Sequence, residues 1–129
     1  MNKIIVEVSI GELLDKISIL EIKQGKIKDP EKLKYINNEH SILKSQFEEN
    51  VKSDEKLNSF YQSLKEINSK LWVIEDDKRR CEKDKDFGEK FIKLSRDVHF
   101  LNDDRAKIKL EINNLTGSVI KEIKEYTTY

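Results

Sequence analysis

The sequence predicts an all-α fold: an antiparallel, coiled-coil-like hairpin of two long helices, with two shorter helices packed along it and a short N-terminal strand. Three observations predict it. Apolar residues step by three and four through residues 57–74 and again through 91–119, the seam that a left-handed helix pair requires. Charged residues make up 39% of the chain, with 25 Lys and Arg against 25 Asp and Glu, a balance that suits solvated helix faces laced with ion pairs. Helix-start chemistry recurs at Ser9, at Asp29-Pro30 and at Asp86, each just ahead of a periodic run. Residues 1–129 fit a single helical-bundle domain.

The stretch Lys3–Val8 is β-prone through Ile4, Ile5, Val6 and Val8, and a lone strand needs a partner. Ser9-Ile10-Gly11-Glu12 has the form of a capping box, in which Ser9 accepts from the Glu12 backbone and Glu12 reaches back. Ile10, Leu13, Leu14, Ile17 and Leu20 then give a helix from about Ser9 to Gln24, with Gly25 placed as a left-handed terminator. Asp29-Pro30 starts the second helix, with Asp as cap and proline where its missing N–H costs nothing. Its seam is Leu33, Ile36, His40, Leu43 and Phe47, and polar Glu48–Asp54 is read as a connection.

The third helix carries Leu57, Phe60, Leu64, Ile67, Leu71 and Ile74, continued by Lys78 and Cys81. Asp86-Phe87-Gly88-Glu89 resembles another capping box. The fourth helix carries Phe87, Phe91, Leu94, Val98, Leu101, Arg105, Ile108, Ile112, Leu115 and Val119. At the α-helical rise these two helices span roughly 45 Å and roughly 55 Å. The short connection folds them back on each other. Thr116-Gly117-Ser118 is a point of fraying, and the β-prone tail Glu125–Tyr129 is placed beside the N-terminal strand.

Zero net charge leaves no field to gather nucleic acid, so no nucleic-acid partner is expected. The single cysteine, Cys81, excludes an internal disulfide and a cysteine-based zinc cluster, and points to a reducing compartment. Ile4–Val6 is too short for a signal core or a membrane span, so a cytoplasmic protein with no membrane partner is expected.

Three stretches are distinctive in their polar residues: VSIGELLDKISILEIK (Val8–Lys23), LWVIEDDKRRCE (Leu71–Glu82) and FGEKFIKLSRDVHFLNDDRAKIKLEINNL (Phe87–Leu115). Together they resemble a family of small, uncharacterised bacterial and marine-virus proteins, a domain of unknown function. The resemblance covers most of the chain and implies an all-helical fold without supplying an activity.

Folding the hairpin near residue 85 places position i opposite roughly position 171 minus i. Trp72 then falls near His99, Asn68 near Asp103, Glu75 near Arg96 and Glu66 near Arg105. Asn68, Trp72, Glu75, Asp76 and Arg79 share one side of their helix. With Arg96, Asn102, Asp103, Arg105 and Lys109 they form a polar belt around the only tryptophan. The belt reads either as a ligand or anion site with Arg96, Arg105 and Lys109 as donors, or as ion pairs that set register. Arg105, inside an apolar seam, must be paired, and Glu66, Asp103 and Asp104 are its nominated partners.

Glu12-x-x-Asp15 invites comparison with helical nucleotide pyrophosphohydrolases that hold magnesium on carboxylates one turn apart, although a capping role suits Glu12 better. His40 and His99 have no ligand-spaced partner, no Glu-x-x-His pair occurs, and no glycine-rich phosphate loop is present. No metal, cofactor or catalytic residue is therefore assigned. The expected function is a non-enzymatic interaction or assembly module that self-associates as a homodimer, with any other protein partner unidentified. The alternative is a ligand-binding or metal-dependent hydrolytic bundle acting on a small phosphorylated molecule.

Overall fold

Ser9 opens the first helix by accepting a hydrogen bond from the Glu12 amide (3.0 Å), which satisfies one of the free backbone donors of the first turn. In the computed structural model, which describes residues 2–129, α1 runs over Ile10–Lys26. Only half of the capping box forms, because the Glu12 carboxylate turns to Lys109 instead (2.6 Å). Gly25 is not a left-handed terminator: it stays helical, and the chain leaves α1 through extended Ile27.

α2 covers Pro30–Asn50, with the Asp29 carboxylate accepting from the Glu31 amide (3.2 Å). It takes in Glu48 and Glu49, which the sequence assigned to a connection. α3 covers Glu55–Asp84, started by Asp54, whose carboxylate accepts from the Leu57 amide (2.8 Å). Its 30 residues match the expected length of roughly 45 Å.

α4 covers Glu89–Thr116. Gly88, not Asp86, stands at its cap with no side chain to offer, and the Asp86 carboxylate accepts from the Gly88 amide (3.1 Å). At 28 residues it is roughly 42 Å long, short of the 55 Å expected. Gly117 stops it in the left-handed region (φ 68°), where only glycine sits without penalty. Val119, placed in the seam by its spacing, is 99% exposed.

α1 is the hub. It packs against α2, α3 and α4, α3 and α4 lie against each other, and α2 packs chiefly on α1 while its Phe47 joins the core shared with α3. Leu14 and Ile17 of α1 meet Phe47, Leu57, Leu64 and Ile112 in one buried cluster. Farther along the long pair, Lys78 lies over the Phe91 ring, and residues 69–74 share a groove with residues 97–101. The polar ties of α1 to the long pair involve α3 only as far as Asn68 and α4 only back to Arg105. Beyond that level Val73, Ile92 and Phe100 are exposed.

The expected N-terminal strand does not form, and no strand occurs among the described residues. Ile4 and Ile5 are 90% and 83% exposed; β propensity alone does not hold a strand that has no ladder to join. The tail, placed beside that strand by the sequence, runs back along α4 instead. Ser118 accepts from the Ile10 amide (3.2 Å), Glu122 meets Lys109 (3.1 Å), and the Tyr129 hydroxyl meets Asp103. None of the described helices is long and apolar enough to cross a membrane.

Candidate functional site

Three helices converge on Asp15, which is 2% exposed. The Arg105 guanidinium grips its carboxylate with two parallel hydrogen bonds, Nε to Oδ1 (2.9 Å) and Nη2 to Oδ2 (2.5 Å), the strong geometry of a carboxylate fork. Asn68 Nδ2 donates to Asp15 Oδ1 and to Ser18 Oγ, both at 2.8 Å, and Ser18 in turn donates to the Asp15 carbonyl. Burial by itself would raise the Asp15 carboxyl; the hydrogen bonds from Arg105 and Asn68 outweigh it and hold the group below its ordinary 3.8. The same pairing pushes Arg105 upward.

One turn along, buried Lys109 donates to Glu12 (2.6 Å) and Glu122 (3.1 Å). Burial opposes its charge, yet these carboxylates leave it raised above 10.5. A further turn brings Asn113, whose Oδ1 accepts from the Gly11 amide at 2.7 Å. The two backbones meet here so closely that a Cβ on Gly11 would stand 2.5 Å from the Lys109 carbonyl oxygen. On another side of α1, Glu21 accepts from His40 Nε2 (3.0 Å), Lys65 Nζ (3.2 Å) and the Tyr61 hydroxyl. Burial disfavours the Glu21 charge, but these donors lower its carboxyl, while burial and that carboxylate raise Tyr61.

Above the Asp15–Arg105 fork opens a cleft of about 330 Å³ between α1, α3 and α4. Ile19, Ile22, Leu71 and Trp72 wall it, and Asn68 and Arg105 also line it, with Glu75, Asp76 and Arg79. Trp72, Glu75, Asp76 and Arg105 of the expected belt therefore share one cavity. Lys109 does not join them, being enclosed by its two glutamates. Asn102 and Asp103 line a separate cavity beneath the tail, with His99 and Tyr129. Arg96 is exposed and forms no ion pair among the described residues.

The opposed pairs drawn from the hairpin are corrected by α1, which occupies the slot between the long helices. Arg105 bonds Asp15 rather than Glu66, Asp103 or Asp104, and Asn68 bonds Asp15 rather than Asp103. Trp72 lines the cleft with Ile19, and His99 packs on Phe100 and Tyr129. The Glu12-x-x-Asp15 carboxylates are each taken by a cation, Lys109 and Arg105. Among the described residues no group of three His, Cys, Asp or Glu side chains is arranged around a metal-sized space. Asp15, Ser18, Asn113 and Glu21 escaped notice as partners. Gly11, Asp15 and Ser18 nevertheless recur at helical spacing, a small-and-polar stripe that marks a close helix contact.

No curated protein and no solved structure matches the chain. The family comparison does find a match, and it spans the stripe on α1, the Trp72 cleft, the Arg105–Asn113 face and the tail together. Over residues 4–129 the chain matches, and belongs to, a family of unknown function (DUF6165).

Proposed function

We propose that the protein is a non-enzymatic assembly module of the cytoplasm, a homodimer joined through the outer half of an antiparallel, coiled-coil-like α3–α4 hairpin. The observation that carries this reading is the apolar surface of the long pair in a groove that α1 does not line. Val73 and Phe100 are exposed at one groove with Ile74 and Leu101, and Ile92 is exposed farther out. Apolar surface of this kind on a long helix pair favours a partner, and a second copy offers the same surface, as a two-fold dimer requires. The ionisable groups at the centre support a structural role. Asp15, Glu12, Lys109 and Glu21 are each spent on one another or on neighbouring side chains.

Light scattering through a dilution series tests the proposal. The expected result is a dimer in the micromolar range, and a Val73→Glu variant that is monomeric with unchanged helicity. A wild-type monomer throughout that range overturns it.

A further inference from the structure

Around the Trp72 cleft, Asn68 Oδ1, Arg105 Nη1 and the Arg79 guanidinium have no partner among the described residues. Asn68 is only 5% exposed, yet while Nδ2 donates twice, its Oδ1 accepts nothing. No buried side-chain oxygen or nitrogen among the described residues lacks a partner, so this oxygen faces the open cleft that Asn68 lines, where a ligand donor can reach it. Arg105 commits Nε and Nη2 to Asp15, and Nη1 remains unspent. Arg79 is exposed and forms no ion pair among the described residues, although the next residue, Arg80, has both Asp76 and Asp77. The remaining lining is apolar Ile19, Ile22, Leu71 and the half-buried Trp72, with the carboxylates of Glu75 and of Asp76, the latter paired with Arg80, at the rim.

We infer that this cleft binds a small organic anion built on a flat heteroaromatic ring. The ring lies along Trp72 and the aliphatic wall, a ring N–H donates to Asn68 Oδ1, and the acidic group sits between Arg79 and Arg105 Nη1. Each part answers an observation. Ring stacking on an aromatic face contributes about 1–3 kcal/mol in nucleobase recognition. An arginine already oriented by a buried carboxylate reaches an anion with little further ordering. A volume of about 330 Å³ suits one ring with a short acidic arm, at the small end of ligand pockets. Glu75, with no ion pair among the described residues, disfavours a second acidic group, so a pyrimidine monophosphate with a ring N–H or a ring carboxylate fits better than a polyphosphate.

Trp72 is the only tryptophan of the chain, so its fluorescence reports on the cleft directly. The probes are uridine 5′-monophosphate and pyrrole-2-carboxylate, each with a ring N–H, and uridine and inorganic phosphate serve as the separated halves of the first. A saturable change with at least one of the two intact anions is expected, and which of them responds identifies the acidic group. Arg79→Gln should weaken that response about tenfold while leaving the thermal midpoint unchanged, because Arg79 is exposed. The site lies within one chain, so monomeric Val73→Glu should respond as wild type does. No change with either intact anion at millimolar concentration overturns the inference. Equal binding by a separated half, or an Arg79→Gln response equal to wild type, overturns it as well.

Discussion

Asp15 and Arg105 show how one misplaced partner reverses a prediction. Periodicity puts Arg105 inside an apolar seam and so demands a carboxylate. Hairpin geometry nominates Glu66, with Asp103 and Asp104 as local alternatives, because it takes no account of α1. On that reading Arg105→Leu should keep or raise stability, because apolar packing often replaces a buried ion pair without loss. With Asp15 buried as the actual partner, the same change strands a carboxylate in the interior, at a cost of about 3–5 kcal/mol. Urea melts should show that loss. The double variant Asp15→Leu, Arg105→Leu should recover part of it, leaving Asn68 Nδ2 with Ser18 alone. A single variant as stable as wild type would contradict the buried fork.

At the scale of elements, two glycines of α1 call for opposite outcomes from one substitution. Gly25 has open space around it in the last helical turn, so Gly25→Ala should stabilise by about 0.5–1 kcal/mol through helix propensity. Gly11 has the Lys109 carbonyl oxygen 2.5 Å from where a Cβ would stand and the Asn113 side chain at 2.9 Å. Helix propensity gains there are outweighed by overpacking against backbone, and Gly11→Ala should cost about 1–3 kcal/mol. Thermal melts of the two variants, shifting in opposite directions, check the pair. The sequence makes the beginnings of α1 and α2 legible, because Ser9 and Asp29-Pro30 act through local chemistry. The end of α4 was not legible from spacing: Leu115 and Val119 keep the apolar step while the backbone at Gly117 has already turned left-handed. The N-terminal strand failed for a related reason, since Ile4–Val6 carry propensity without a pairing edge.

Across the whole molecule, α1 is held by ion pairs as well as by its buried Leu14 and Ile17, and the long pair by apolar contact. Glu12, Asp15 and Glu21 tie α1 to α2, α3 and α4, whereas no ion pair joins α3 to α4 among the described residues. Asp15 and Glu21 have folded-state values below their ordinary 3.8 and 4.5. Their stabilisation is therefore complete above those ordinary values and fades as pH falls through the lower, folded ones. Acidification below about pH 4.5 should loosen α1 and α2 before α3 separates from α4. Amide exchange followed against pH checks this, with α1 losing protection first. Simultaneous loss across all four helices would count against it. Four helices were visible in the sequence, but their centre was not, because heptads describe pairs and α1 joins three neighbours through a polar stripe. That arrangement also sets an order in time. Arg105 follows Asp15 by 90 residues, roughly 5–20 s of translation at the usual pace. Throughout that interval the nascent α1 has α2 beside it but lacks the guanidinium that neutralises Asp15 and the Asn113 and Ser118 that close its first turn. Any chaperone dependence of this chain should accordingly fall on α1 and α2, not on the long helices made after them.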